Sequence, residues 1–206
     1  MIGEYLMEKY ASLLSADACN YKEIIKKLEE NGFSGLHFDV MDGHFVKNFG
    51  FNSHIIKTLR KITKLKFSIH LQIKNPEIYI NDFIKAGADI LTIHPFTCNN
   101  LERELRFIKA NEVQTSIAIE PYVELEDIEK YLPIVDNVNI LSVYPGFGKQ
   151  KFIEKSFNKI KKLKNIIIEK NFSISISVDG SVKSENDIAI VECGADILIY
   201  GSSIFD

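Results

Sequence analysis

The stretch "GLHFDVMDGHF", residues 35–45, alternates apolar and polar side chains with the period of a β-strand. Three apolar side chains share one face of that strand: Leu36, Phe38 and Val40. The opposite face presents His37, Asp39 and Met41. A buried charge must be paired or ligated, so we expect this polar face to meet a binding site.

Seven more short apolar runs recur along the sequence, and amphipathic stretches such as 20–32 and 156–171 separate them. The eight runs occupy residues 10–15, 35–40, 66–71, 89–94, 114–120, 137–143, 173–179 and 196–201. Gly32 and Asn171 stand where two helices are expected to end. Eight strands that alternate with helices predict a (β/α)8 TIM barrel. A doubly wound open sheet is the alternative, but it seldom has eight evenly spaced strands.

Composition argues for one domain that neither spans a membrane nor binds nucleic acid. The 206 residues are 46% hydrophobic and 26% charged, with a formal net charge of -3. No apolar run nears the roughly 18 residues of a membrane helix. The three cysteines form no CxxC pair, so neither a disulfide framework nor a thiolate zinc site is expected. We expect residues 1–206 to form one cytoplasmic TIM-barrel domain, with residues 1–9 as an N-terminal extension.

Polar residues and a glycine stand at the carboxyl ends of the runs, which form the active-site face of a TIM barrel. These ends are Ser15, Asp39, His70, His94, Glu120, Ser142, Asp179 and Gly201. We expect four side chains to converge there: His37, Asp39, His70 and Asp179. Two imidazoles and two carboxylates suit one divalent ion such as Zn, Fe(II), Mn or Co, whereas calcium prefers more oxygens. Each residue alone fits a hydrogen-bonded core position, but four at matched strand ends favour a metal site.

Three glycine-containing segments follow the last three strands: "VYPGFGKQKF" (143–152), "VDGSV" (178–182) and "YGSSIF" (200–205). Glycine lets backbone amides approach an anion, and the loops after the last strands commonly bind phosphate in this barrel. Ordinary tight turns are the alternative for any one segment. Three on adjacent strands favour a phosphate site, with Lys149 as a possible additional donor.

Several motifs, in order, resemble the ribulose-phosphate 3-epimerase family from about residue 11 onward. They are "SLLSAD", "LHFDVMDGHF", "HL" followed by "NPE", "AGADILTIHP", "PGFG", "VDG" and "GSSIF". The resemblance implies a TIM barrel with one divalent metal ion that interconverts ribulose 5-phosphate and xylulose 5-phosphate. Such an epimerisation needs one carboxylate on each face of a planar enediolate.

The resemblance also implies roles for individual residues. The metal ligands would be His37, Asp39, His70 and Asp179, and Asp39 and Asp179 would also form the proton-transfer pair. The substrate-binding residues would be Ser12, Met41, His70, Gln72 and Leu141. The phosphate-binding residues would be Gly146, Phe147, Gly148, Lys149, Gly180, Ser181, Gly201 and Ser202.

Departures from the family pattern concern the substrate more than the reaction. The family usually places three methionines at the reacting centre, and here Met41 is kept while Gln72 and Leu141 stand at the other positions. The remaining departures are expected around the sugar or phosphate: Phe96, Tyr144, Lys149 and Ser181.

The favoured function is therefore 3-epimerisation of a ketose phosphate, with D-ribulose 5-phosphate and D-xylulose 5-phosphate as the preferred pair. A six- or seven-carbon ketose phosphate such as allulose 6-phosphate is the alternative, because "VDGS" is similar to the relatives that act on that sugar. A lyase is disfavoured because no strand end offers a lysine. A non-catalytic phosphosugar-binding barrel is the alternative of a different class.

The sequence ends at Asp206, just after the last strand, where the family continues into a final helix. We therefore expect a barrel that lacks its last helix. The N-terminal extension or a second copy of the chain would cover the wall left exposed, and a homo-oligomer is predicted.

Overall fold

The structure, a computed structural model, describes residues 7–205. Eight parallel strands close into a barrel in chain order, with β8 paired to β1. The strands are β1 (Glu8–Ser12), β2 (Gly35–Met41), β3 (Lys66–Gln72), β4 (Ile90–Ile93), β5 (Gln114–Ile119), β6 (Asn137–Leu141), β7 (Ser175–Val182) and β8 (Ile197–Tyr200). The helices are α1 (Tyr21–Glu30), α2 (Ser53–Leu59), α3 (Ile80–Ala86), α4 (Leu101–Ala110), α5 (Lys155–Glu169) and α6 (Asp187–Glu192). The predicted TIM barrel is confirmed.

Two helices end as their sequences predict. Gly32 follows α1 with a φ of 74°, and the next N–H, of Phe33, donates to the Leu28 carbonyl oxygen at 3.0 Å. Asn171 follows α5 with a φ of 51°, a left-handed conformation that glycine and asparagine adopt most readily. These turns satisfy carbonyl groups at the helix ends and return the chain toward the next strand.

The first strand lies earlier in the sequence than predicted. β1 spans Glu8–Ser12, and residues 13–15 form a 3₁₀ turn, so Ser12 rather than Ser15 stands at the strand end. Apolar residues continue from β1 into that turn, where Leu13 is buried. The hydrophobic pattern therefore does not show where β1 ends. Glu8 and Lys9, predicted as extension, pair with β8. Residues 1–6 of the predicted extension lie outside the described residues.

Within residues 7–205, one connection between strands and the segment after the last strand contain 3₁₀ turns and no α-helix. Between β5 and β6 the chain forms 3₁₀ segments at Leu125–Asp127 and Glu129–Ile134, and the second contains Pro133, which lacks a backbone N–H. β8 is followed by the 3₁₀ turn Ser202–Ile204. None of the helices in this part of the chain has the length and apolar character to cross a membrane.

The two faces of the strands build two apolar regions. Outside the barrel, the Phe38 ring centroid lies 4.7 Å from that of Phe67 in the layer under the helices. A separate buried cluster comprises Tyr10, Ile90, Ile197 and Ile199. By alternation these four face the barrel axis. Ile199 lies level with Asp179 in the pairing of β7 with β8, so this apolar cluster reaches the polar side chains at the carboxyl ends.

The segment after β2 folds back against that strand. Asp42 and Phe49 form an antiparallel bridge, and the Phe51 N–H donates to the Asp39 carbonyl oxygen at 2.9 Å. At Gly50 an added Cβ would lie 2.0 Å from the same carbonyl oxygen. Position 50 therefore requires glycine because of the close approach of two backbone segments.

We expect Gly50→Ala to lower the free energy of unfolding by about 2 kcal/mol or more, because a methyl group there forces backbone apart. Gly32→Ala is the matched control, since its φ is 74° but nothing lies within 4 Å of an added Cβ. It should cost about 1 kcal/mol, the penalty of a left-handed conformation. Chemical denaturation of both variants provides the measurement, and equal losses would contradict the steric explanation.

Candidate metal centre

Four side chains from three strands each present one ligand atom, and these atoms all lie within 4.8 Å of one another. β2 supplies His37 and Asp39, β3 supplies His70, and β7 supplies Asp179. His37 Nε2 lies 3.6 Å from Asp39 Oδ1 and 3.5 Å from Asp179 Oδ2. His70 Nδ1 lies 3.6 Å and 3.7 Å from the same two oxygens. The structure brings together the four residues selected from the sequence.

The four groups shift one another's protonation strongly. Burial opposes the charged form of His37, but Asp39 and Asp179 outweigh it and raise the pKa of the imidazole to about 10. Burial likewise opposes charge on His70, yet hydrogen bonding to Asp179 and Asp39 raises its pKa. Against the effect of burial, His37 above all lowers the pKa values of both carboxyl groups. Positive charge among these groups is therefore strongly favoured.

The donor set fits a divalent metal ion. His37 Nε2 is buried and has no hydrogen-bond partner, a costly condition that metal coordination would relieve. The other ring nitrogen, Nδ1, lies 3.1 Å from Ser68 Oγ, which orients the ring. Two imidazole nitrogens and two carboxylate oxygens match the preferences of zinc and its first-row neighbours. This buried group could hold a metal ion.

Two of the residues predicted to bind substrate contact Asp39 directly. Ser12 Oγ donates to Asp39 Oδ2 at 2.8 Å, and Gln72 Nε2 donates to Asp39 Oδ1 at 2.7 Å. Both contacts are buried, so they hold the carboxylate in one orientation. The remaining amide oxygen, Gln72 Oε1, is buried and has no hydrogen-bond partner.

One cavity of about 710 Å³ opens above the cluster and is lined by all the residues predicted to bind substrate or phosphate. Asp39 and Asp179 also line it, whereas His37 lies beneath them with no exposed surface. Tyr144 reaches the cavity as expected. The expectation for Phe96 is wrong, because the turn after β4 leaves it 69% exposed and outside the lining.

The segment after Asp179 departs from regular strand pairing. The register between β7 and β8 shifts between Asp179 and Val182, and the two intervening residues have positive φ, 111° at Gly180 and 52° at Ser181. A Cβ at Gly180 would lie 2.5 Å from a methyl carbon of Val143, so a side chain does not fit. Such a bulge takes backbone groups out of the ladder, and the Gly180 and Ser181 carbonyl oxygens accept hydrogen bonds from the side chains of Ser142 and Asn186 instead.

Two buried residues beside the cluster, His94 and Glu120, were not among the residues predicted to bind metal, substrate or phosphate. His94 Nε2 lies 2.9 Å from His70 Nε2, and His94 Nδ1 lies 2.6 Å from Glu120 Oε1. Burial opposes ionisation of Glu120, but the hydrogen bond with His94 lowers the pKa of the carboxyl group overall. Both residues stand at predicted strand ends, which was the only signal for them in the sequence.

Comparison with known proteins agrees with these features. The model of the ribulose-phosphate 3-epimerase family matches residues 9–205. Ribulose-phosphate 3-epimerase of Bacillus subtilis is 39% identical over 195 residues, 94% of this chain and 90% of that protein. The chloroplastic ribulose-5-phosphate-3-epimerase of Arabidopsis thaliana is 39% identical over 94% of this chain and 70% of that protein.

Among solved structures, a tryptophan synthase alpha-subunit mutant from Pyrococcus furiosus aligns with a TM-score of 0.72 over 97% of this chain and 88% of that one. At 12% sequence identity, this likeness concerns the barrel alone. The family match and the two relatives concern the sequence over nearly its whole length. The chain therefore belongs to the ribulose-phosphate 3-epimerase family and is an isomerase.

Proposed function

We propose that this protein epimerises a ketose phosphate at C3, with D-ribulose 5-phosphate and D-xylulose 5-phosphate as its substrate pair. The observation that carries the proposal is the pair of carboxylates, Asp39 and Asp179, on the wall of one cavity with His37 Nε2 between them at 3.6 Å and 3.5 Å. Family membership supports the same reaction type.

Epimerisation through a planar intermediate needs two bases. One carboxylate removes the C3 proton from one face, and the acid form of the other returns a proton to the opposite face. Asp39 and Asp179 come from strands β2 and β7, so they can flank a substrate from two sides. In the reverse direction the two groups exchange their functions.

The cluster His37, Asp39, His70 and Asp179 would hold one divalent ion, either Zn, Fe(II), Mn or Co. When bound, the ion supplies positive charge that stabilises the negative charge developing on the substrate oxygens. Ser12 and Gln72 keep Asp39 oriented for proton transfer through their buried hydrogen bonds.

The phosphate group would bind at the glycine-containing segments on the other side of the cavity. Supporting this are the positive-φ residues Gly146, Lys149, Gly180 and Ser181, which break the regular backbone there. Chains of amides in such conformations form anion-binding concavities. Phe147, Gly148, Gly201 and Ser202 complete the predicted set on the same wall.

The alternative is a six- or seven-carbon ketose phosphate such as allulose 6-phosphate. The presence of Gln72 on the cavity wall favours it, because an amide side chain can hydrogen-bond an additional hydroxyl group. A homo-oligomeric state and a cytoplasmic location stay predictions from the sequence.

We expect Asp39→Asn and Asp179→Asn each to reduce epimerisation by at least about a hundredfold, because a face of the substrate loses its base. NMR in deuterated buffer measures both epimerisation and exchange at C3, and any exchange that survives should occur with one epimer only. The matched control is Asp82→Asn, since Asp82 is exposed on α3 and does not line the cavity. Normal epimerisation by either cluster variant would exclude the two-base mechanism.

Metal binding should release protons. The pKa of His37 is raised to about 10, so near pH 8 the imidazole is protonated and must lose its proton to become a ligand. We expect release of at least one proton per Zn²⁺, and an affinity that falls as pH falls below about 10. Calorimetric titration in two buffers of different protonation enthalpy measures this release. Identical heats in both buffers would show that the cluster binds zinc without losing a proton.

A panel of ketose phosphates in deuterated buffer tests the substrate assignment. Deuterium should enter C3 of ribulose 5-phosphate faster than C3 of allulose 6-phosphate or a seven-carbon analogue. Faster exchange with a longer sugar would replace the proposed substrate with the alternative. Absence of exchange in every member, with metal bound, would refute the proposed reaction.

A further inference from the structure

Three buried side chains on consecutive strands form a continuous hydrogen-bonded chain that ends at the candidate metal centre. His70 on β3 lies 2.9 Å, Nε2 to Nε2, from His94 at the end of β4. His94 Nδ1 lies 2.6 Å from Oε1 of Glu120, at the end of β5. All three residues are at most 2% exposed, so water does not substitute for these partners.

Donor and acceptor requirements determine where the protons lie along this chain. An ionised carboxylate only accepts hydrogen bonds, so Glu120 requires a proton on His94 Nδ1. A neutral His94 then has a lone pair on Nε2, which requires a proton on His70 Nε2. Neutral His70 consequently has its lone pair on Nδ1, the atom that lies 3.6 Å from Asp39 Oδ1 and 3.7 Å from Asp179 Oδ2.

The surroundings keep both rings in this arrangement. The imidazole planes of His70 and His94 are nearly parallel, at 18°, and the ring centroids lie 4.9 Å apart, which fits an edge-to-edge hydrogen bond between the two Nε2 atoms. The ring of Phe45 covers His94 at 4.6 Å between centroids. These contacts oppose reorientation of the His94 ring, so a shift of its proton is the expected response to the loss of its acceptor.

The end of β5 is also held in place. Lys159 Nζ donates to the backbone carbonyl oxygens of Glu120, Pro121 and Val123 at 3.2, 3.1 and 2.6 Å. Tyr122 OH donates to Glu120 Oε1 at 3.4 Å, a longer and partly exposed contact. The hydrogen bond to His94 is therefore the short, buried contact of this carboxylate.

We propose that Glu120 is a positioning residue for metal binding, which acts through His94 to hold a proton on His70 Nε2 and to direct His70 Nδ1 at the metal. The inference rests on the metal site of the proposed function. Glu120 touches neither the cluster nor the substrate-binding residues. Hydrogen-bonded partners behind a metal-binding histidine typically change metal affinity by about 10- to 100-fold when they are removed.

Wild-type protein with ¹⁵N-labelled histidine gives the first test, since NMR distinguishes protonated from unprotonated ring nitrogens. We expect a proton on Nδ1 of His94 and on Nε2 of His70, both in the metal-free protein and with Zn²⁺. A proton on Nε2 of His94 instead would overturn the proposal. Because the metal-free protein is included, this result stands even if the chain binds no metal and the proposed function fails.

Two variants of Glu120 give the second test, with Co²⁺ alone as the probe of affinity. Glu120→Met removes the acceptor at similar size, so we expect about 10- to 100-fold weaker Co²⁺ binding and a proton partly shifted to Nε2 of His94. Glu120→Gln retains an acceptor oxygen, so it should keep the wild-type tautomer and lose less than about tenfold in affinity.

Tyr122→Phe is the matched control, because it removes the other side-chain contact of Glu120, and both tautomer and affinity should stay as in the wild type. Co²⁺ affinity of Glu120→Met within about twofold of the wild type, with unchanged tautomers, would overturn the proposal even if the thermal stability fell. If Glu120→Met does not fold, a loss in Glu120→Gln as large as 100-fold with a wild-type tautomer would also overturn it.

Discussion

Mutual compensation between two carboxylates and two imidazoles, buried at one end of the barrel, is the constraint on which the rest of the site depends. An unpaired charge at such depth would be costly, and pairing alone does not satisfy every lone pair. Asp39 and Asp179 oppose each other's ionisation, and His37 and His70 between them offset that repulsion. A cation suits such an environment better than a neutral occupant does.

The four residues of the cluster lie on strands of the barrel and not on loops. Three of the four cluster residues belong to the adjacent strands β2 and β3, where Asp39 and His70 stand in register. Their side chains are held from behind by buried partners, as at Ser12 and Ser68. Placement on strands and buried hydrogen bonds from behind together restrict the positions of these side chains.

The sequence could predict what depends on local periodicity. Alternation placed His37 and Asp39 on one face, and repetition of strand and helix patterns indicated eight strands, so both the barrel and the convergent cluster were accessible. The boundary of β1 at Ser12 was missed because buried apolar residues continue beyond the strand.

The link from His94 to Glu120 was missed for another reason. This hydrogen bond joins two side chains at the ends of neighbouring strands. The spacing of residues within one strand does not reveal which side chain of the next strand lies opposite. The exposure of Phe96 was missed for the same reason. The tertiary position of its turn, and not the local pattern of residues, determines where this side chain lies. Periodicity therefore identifies the face on which a residue lies, while the partner it meets there follows from the register between strands.

The close approach at Gly50 has a consequence for motion. The loop that carries Gly50 borders β2, and its backbone N–H at Phe51 is bonded to the carbonyl oxygen of Asp39. A displacement of that loop is transmitted to Asp39 through the backbone, without passing through any side chain. The position of the loop and the position of Asp39 are thus coupled through a direct backbone contact.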